Sequence, residues 1–249
     1  MQNKNFTPVI TFLSAKGGIG KTFLIVNLAY LLSRDGFKVL VIDTNFKFPN
    51  IDVLLGKATK ITADDILKGN KNIFQTIQQS EEDIYFISIF PNFKYKEELK
   101  ELDKIISGLK FLKKHFDFIL IDTSICFNDR FLQLIIHSDK NILILSPELM
   151  SISNSYSLLK YIFSRTSVDI YMLINKVENE LEAKDIYQDL NSLTKETLKS
   201  EIRYLGYIRI ENALYNFSKY KSLYVKEFPI SKFSKDLEKI KNKITEGLR

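Results

Sequence analysis

Residues Ser14 to Thr22 read S-A-K-G-G-I-G-K-T, and their types and spacing are those that hold a chain of phosphates. Gly17, Gly18 and Gly20 let the backbone turn tightly enough for consecutive N–H groups, that of Ile19 among them, to point at one anion. An apolar stretch, Val9 to Leu13, precedes the loop, and a helical pattern opens at Lys21. The start of that helix adds partial positive charge. Lys21 is placed to reach β- and γ-phosphates, and Thr22 offers a hydroxyl to Mg²⁺. The strict P-loop pattern has glycine where this chain has Ala15, and a second lysine, Lys16, stands ahead of the glycines. A chance Gly-rich turn would explain the glycines alone. The strand before and the helix after argue for a nucleotide site.

The elements that position this loop follow from apolar, β-branched runs alternating with helical patterns, the spacing of βαβ units. Strands are expected at Val9 to Leu13, Lys38 to Ile42, Ile84 to Ile89, Phe118 to Ile121, Asn141 to Leu145, Ile170 to Ile174 and Ile202 to Ile208. Helices are expected at Thr22 to Arg34, stopped by Gly36, then Lys96 to Lys114, Asp129 to His137, Ser153 to Arg165, Lys184 to Leu193 and Lys235 to Glu246. Thr62 with Asp65 has the spacing of a helix start. The fold class is α/β: a doubly wound, mostly parallel sheet with helices on both faces. There is no linker, internal repeat or low-complexity segment, so residues 1–249 read as a single domain.

A chain of 249 residues with 45% hydrophobic and 27% charged residues is long and balanced enough for one well-buried α/β core. No apolar run approaches the length of a membrane span, and the polar start, Met1 to Pro8, has no signal-peptide core. The lone Cys126 excludes an intrachain disulfide and a cysteine-clustered metal site within one subunit. These features point to the cytoplasm. The net charge of +6 would suit nucleic acid or anionic lipid, but between Lys94 and Lys114 the lysines are interrupted by Glu97, Glu98, Glu101 and Asp103. That is a solvated helix face, so DNA binding is not favoured.

With the loop placed, several motifs follow in order: Asn27-Leu28-Ala29; Lys38-Val39-Leu40-Val41-Ile42-Asp43; Asn50 to Gly56; Phe116 to Thr123; Ser146-Pro147-Glu148 followed by Ser155 to Lys160; Ile174-Asn175-Lys176; and Leu205-Gly206-Tyr207-Ile208. Over nearly its whole length the chain resembles the MinD/ParA superfamily of P-loop ATPases, and within it the MinD and FlhG (flagellar number and placement) branch. The K-G-G-x-G-K-[ST] loop is that superfamily's deviant Walker A motif. The resemblance implies ATP held by Lys16, Gly17, Gly18, Ile19, Gly20, Lys21 and Thr22, with Mg²⁺ served by Thr22, Asp43 and Asp122. Mg²⁺ tends to keep several waters and take few carboxylates, which suits Asp43 and Asp122 at the ends of apolar strands. Read alone, Asp122 could instead cap the next helix. Asn175 could read the adenine edge or be a turn asparagine. In the family the lysine at the Lys16 position crosses a two-fold interface to the other subunit's nucleotide, which implies a homodimer formed on ATP binding. Lys16, Asp43 and Asn45 make up the candidate catalytic set.

The departures from the pattern are specific. Family members carry D-x-D where this chain has Asp43-Thr44-Asn45, and an amide can position a water but cannot accept its proton. FlhG-like chains read D-T-G-A-G after the Walker B strand, whereas here Asp122-Thr123-Ser124-Ile125-Cys126 crowds and stiffens the loop. Arg209, Ile210 and Glu211 stand where a proline and an acidic residue usually follow L-G-x-I. FlhG carries an N-terminal helix that stimulates a flagellar GTPase, and only a few polar residues stand here before the first strand. The end of the chain, with Leu237, Ile240, Ile244 and Leu248 among Lys and Glu, reads as a packed helix rather than MinD's membrane anchor, so membrane association by the protein alone is not expected.

The expectation is an ATP-binding switch with slow or absent hydrolysis, acting with a flagellar or polar protein partner that recruits it to the membrane or pole. Its rivals are an active ATPase of the same group, a ParA-type DNA-segregation ATPase, and a scaffold that has lost nucleotide. Aromatics interleaved with lysine in the last third (Tyr204, Tyr207, Tyr215, Phe217, Tyr220, Tyr224, Phe228 and Phe233) read mostly as core, with any exposed subset a partner surface.

Overall fold

Eight strands form one sheet: β1 Val9–Leu13, β2 Val39–Asp43, β3 Gln78–Gln79, β4 Tyr85–Ile87, β5 Phe118–Asp122, β6 Lys140–Leu145, β7 Ile170–Val177 and β8 Ile202–Arg209. The structure, a computed structural model, describes residues 7–45, 50–57, 72–88, 98–124, 128–217 and 222–246. The strand order is β3-β4-β2-β5-β1-β6-β7-β8, and every pair is parallel except β3 with β4. Strands β1, β2 and β5 are buried at every position, as expected of parallel strands covered on both faces. The mostly parallel α/β sheet is therefore the one the sequence indicates.

Nine α-helices are described: α1 Lys21–Arg34, α2 Ile51–Leu54, α3 Glu98–Leu112, α4 Asp129–Ile136, α5 Leu149–Phe163, α6 Glu180–Leu198, α7 Ala213–Phe217, α8 Tyr224–Glu227 and α9 Lys232–Thr245. The period-2 alternation of each strand divides the core between the two faces. Ile10, Phe12, Val41, Leu120 and Ile142 face α1 and α9 with Leu28, Leu32, Leu237 and Ile240. On the opposite face Leu13, Leu143 and Met172 pack with Leu158, Leu159 and Leu190, while Val9, Leu40 and Ile119 pack with Ile105 and Leu109. Phe23, Phe217, Tyr224, Phe228 and Phe233 form a ring cluster where α1 meets the C-terminal helices.

The boundaries shift from the sequence expectation where side chains do not announce them. β2 and β5 each run one residue further, to Asp43 and Asp122, so both carboxylates stand in the sheet's last register pair. β7 runs on through Asn175 to Val177 with a bulge. α5 starts at Leu149 rather than Ser153, because Leu149 and Met150 are exposed and interrupt the apolar period. α6 spans 180–198 rather than 184–193, capped by the Asn179 side chain, which accepts from Glu182 N. α9 starts three residues early behind the Ser231 cap and lays Phe233, Leu237, Ile240 and Ile244 on the core. β3, α2, α7 and α8 are too short to show a period. The helix start at Thr62 and Asp65 lies outside the described residues, as does Ile89.

Candidate functional site

The site lies at the carboxyl ends of the central strands, where the chain leaves β1 toward β2 on one side of the sheet and later reaches β6 on the other. That reversal of strand order opens a crevice in doubly wound sheets. The loop 14–20 joins β1 to α1, and Gly20 caps α1 in a left-handed conformation, φ 92°. Gly18 is also left-handed, at φ 76°. A Cβ on Gly17 or Gly18 would meet nothing, so the outer side of the loop is open. A Cβ on Gly20 would come within 3.0 Å of Asn175 Nδ2, so glycine is needed there for both reach and conformation.

Lys21, Thr22, Asp43 and Asp122, the set that the family resemblance implies, lie together. The Lys21 ammonium donates to Asp122 Oδ1 and to the Thr123 carbonyl. Thr22 Oγ1 donates to Asp122 Oδ2 at 2.5 Å. Asp43 and Asp122 are register partners on adjacent strands, both essentially buried. Burial, reinforced by the charge of Asp122, pushes the Asp43 carboxyl up to about 7. Opposing this, the Asn45 and Asn50 N–H groups donate to its two oxygens at 2.8 and 3.0 Å. Two adjacent buried carboxylates with a hydroxyl form an oxygen-only donor set that suits Mg²⁺. The residues present thus fit a Mg²⁺–nucleotide.

Asn45 stands two residues after Asp43, and its backbone N–H donates to the Asp43 carboxylate. The strand ends are cross-tied: the Thr44 N–H and hydroxyl both donate to the Asp122 carbonyl at 2.9 Å, and the Thr123 hydroxyl donates to the Phe12 carbonyl at 2.7 Å. Ser124 ends the described part of the loop after β5, and Ile125 and Cys126 lie outside the described residues.

Asn175 sits within β7, not in a turn, and its amide donates to the Ile19 carbonyl at 2.7 Å. The next residue, Lys176, has a left-handed backbone, φ 65°, and its ammonium donates to the Gly18 carbonyl at 3.1 Å. Two consecutive side chains therefore grip two consecutive carbonyls of the glycine loop, which turns the loop's N–H groups the other way. The sequence reading did not pick out Lys176 for the site. Its signal was the asparagine–lysine pair at the end of an apolar strand.

Lys16 lies at the exposed rim and pairs with Glu148, the residue that caps α5. That ion pair holds the Glu148 carboxyl below its usual range. Glu148 is a second residue the sequence reading left out of the site. It reaches Lys16 only because the bend after β6 turns back toward the loop, a tertiary proximity without a local pattern.

Comparison with known proteins gives a consistent picture. The family model for an AAA domain matches residues 7–169. The flagellum site-determining protein YlxH of Helicobacter pylori is 28% identical over 242 residues, covering 96% of this chain and 82% of that protein. The antiactivator FleN of Pseudomonas aeruginosa is 23% identical over 95% of this chain and 85% of its own length. Among solved structures, the septum site-determining protein MinD from Pyrococcus horikoshii, complexed with Mg-ADP, superposes with a TM-score of 0.79 at 23% identity, covering 98% of each chain.

Proposed function

The chain belongs to the MinD/ParA superfamily of P-loop ATPases, as a MinD/FlhG-like member, and from that membership we propose that it is a slow ATP-operated switch. The observation that carries this reading is the cluster of Lys21, Thr22, Asp43 and Asp122 beneath an open glycine loop. In this reading the loop N–H groups and Lys21 hold the β- and γ-phosphates, and Thr22, Asp43 and Asp122 serve the Mg²⁺ water shell. When bound, Mg²⁺ draws charge from the phosphates as it develops. Asn175 and Lys176 keep the loop in shape.

Asn45 orients the attacking water without taking its proton, so hydrolysis is slowed by roughly 10²–10⁴ relative to a site with a general base. Lys16 leaves Glu148 and reaches the nucleotide of a second copy, which makes ATP the condition for a dimer. The names of the two relatives, a flagellum site-determining protein and an antiactivator, favour a role in placing or limiting a flagellar or polar structure through a protein partner. No helix among the described residues is long and apolar enough to cross a membrane.

The test of the site is Lys21→Ala. Calorimetry should show Mg²⁺-dependent ATP binding in the wild type and its near-complete loss in the variant. Equal affinity in the two proteins would refute the assignment.

A further inference from the structure

Lys16, Lys21 and Lys176 surround the glycine loop, and each is tied to a group of the chain itself. Lys21 donates to Asp122 and the Thr123 carbonyl, Lys176 to the Gly18 carbonyl, and Lys16 to the Glu148 carboxylate. The first two ties lie beneath or within the loop. The third spans its rim, joining the start of the loop to the bend between β6 and α5.

Nothing in the local fold uses the Glu148 carboxylate. The residue precedes the first turn of α5, and its backbone carbonyl accepts from the Ser151 and Ile152 N–H groups at 2.8 and 3.1 Å, which fixes the helix start. The bend behind it is held by the Ser146 N–H, which donates to Ser151 Oγ at 3.0 Å. The Glu148 side chain makes no capping bond, and among the described residues Lys16 is the only donor to it.

The carboxylate is nonetheless well stabilised where it stands. Lys16 first, and then the charge of Lys176, hold it below its usual range, and the positive end of α5 favours it too. Glu148 therefore stays charged and in place when Lys16 departs. The two side chains are 34% and 56% exposed, so the pair opens without unpacking the core. It is an exchangeable contact on the lysine that the dimer requires.

We propose that Glu148 is a brake on dimerisation: it holds Lys16 on its own subunit, in competition with the nucleotide of a second copy, and so sets the protein concentration at which the ATP-bound dimer forms. The proposal rests on the role given to Lys16 above. In a two-fold dimer one such pair opens in each subunit. An exposed ion pair shifts an equilibrium by about twofold to fivefold, so releasing both brakes favours the dimer by roughly 4- to 25-fold.

Glu148→Gln keeps the size of the side chain and removes its charge. Sedimentation equilibrium of the full chain with saturating Mg-AMPPNP, an ATP analogue that resists hydrolysis, gives the dimer constant for the wild type, Glu148→Gln, Lys16→Ala and the double variant. Circular dichroism checks that each is folded. Glu148→Gln should dimerise at concentrations about 4- to 25-fold below the wild type, a gain that damage to the fold does not produce. The double variant should be as monomeric as Lys16→Ala alone, because the brake acts only through Lys16.

Equal or weaker dimerisation of the folded Glu148→Gln, with the wild type dimeric, would overturn the brake and leave the role of Lys16 standing. A gain that persists in the double variant would overturn it as well, since the effect would then bypass Lys16. A wild type that stays monomeric while calorimetry shows the analogue bound would remove the dimer reading, and the brake with it.

Discussion

Asn175→Ala separates two roles for one side chain. The Asn175 amide is 6% exposed and donates to the Ile19 carbonyl at 2.7 Å, inside the loop that would surround the phosphates. Removing the donor leaves that carbonyl without this bond, at a cost of about 1–3 kcal/mol. If nucleotide binding has to restore the loop shape, the same energy appears in affinity as a loss of roughly 5- to 150-fold. The loss falls on the phosphate cradle, so it should be the same for ATP, GTP and inorganic triphosphate. Calorimetric titration of all three, with Mg²⁺ present, checks this. The melting temperature should change less than the affinity, because Lys176 still holds the Gly18 carbonyl and the strand around it is intact. A loss confined to ATP, with GTP and triphosphate unaffected, would refute the clamp and return Asn175 to reading the adenine edge. Unchanged affinity for all three would show that the bond is incidental.

Asn45→Asp should raise steady-state phosphate release by ~10-fold or more, because it restores a group that can take a proton where the amide cannot, and unchanged turnover would move the cause to the loop after Asp122. Gly20→Ala should abolish nucleotide binding while the protein still folds, since the new Cβ combines φ 92° with a 3.0 Å approach to Asn175 Nδ2; normal ATP affinity in calorimetry would contradict that. For the nucleotide-free protein, Asp43 has a folded pKa of about 7 against an ordinary 3.8, so between these values the folded state holds a proton that the unfolded chain has released. Its contribution to stability is full below about pH 4 and is lost as pH rises through about 7, on the order of a few kcal/mol. Denaturant titrations from pH 5 to 8 should show that decline in the wild type and a flatter profile in Asp43→Asn.

Much of the fold was legible because buried parallel strands are nearly continuous apolar runs, and the seven expected strands all lie in the sheet. The eighth, β3, has two residues, Gln78 and Gln79, and pairs antiparallel at the edge, where neither apolarity nor period marks it. Helix starts were harder to place, because α5 opens on the exposed Leu149 and Met150 and α6 rests on the polar cap of Asn179. In the site, the residues of the glycine loop and the aspartates at strand ends are local patterns, and the structure gathers them. Lys176 and Glu148 act on the loop from 158 and 132 residues away, through contacts that the order of the strands creates and no spacing along the chain records.

The proposed switch couples ATP-driven dimerisation to slow hydrolysis. It is tested most directly by light scattering of the wild-type protein mixed with Mg-ATP, with phosphate release followed in the same sample. The expected result is a shift from monomer to dimer that needs ATP rather than ADP, is absent in Lys16→Ala although that variant still binds ATP, and outlasts many minutes with little phosphate released. A protein that stays monomeric with ATP bound, or that releases phosphate as fast as Asn45→Asp, would contradict it.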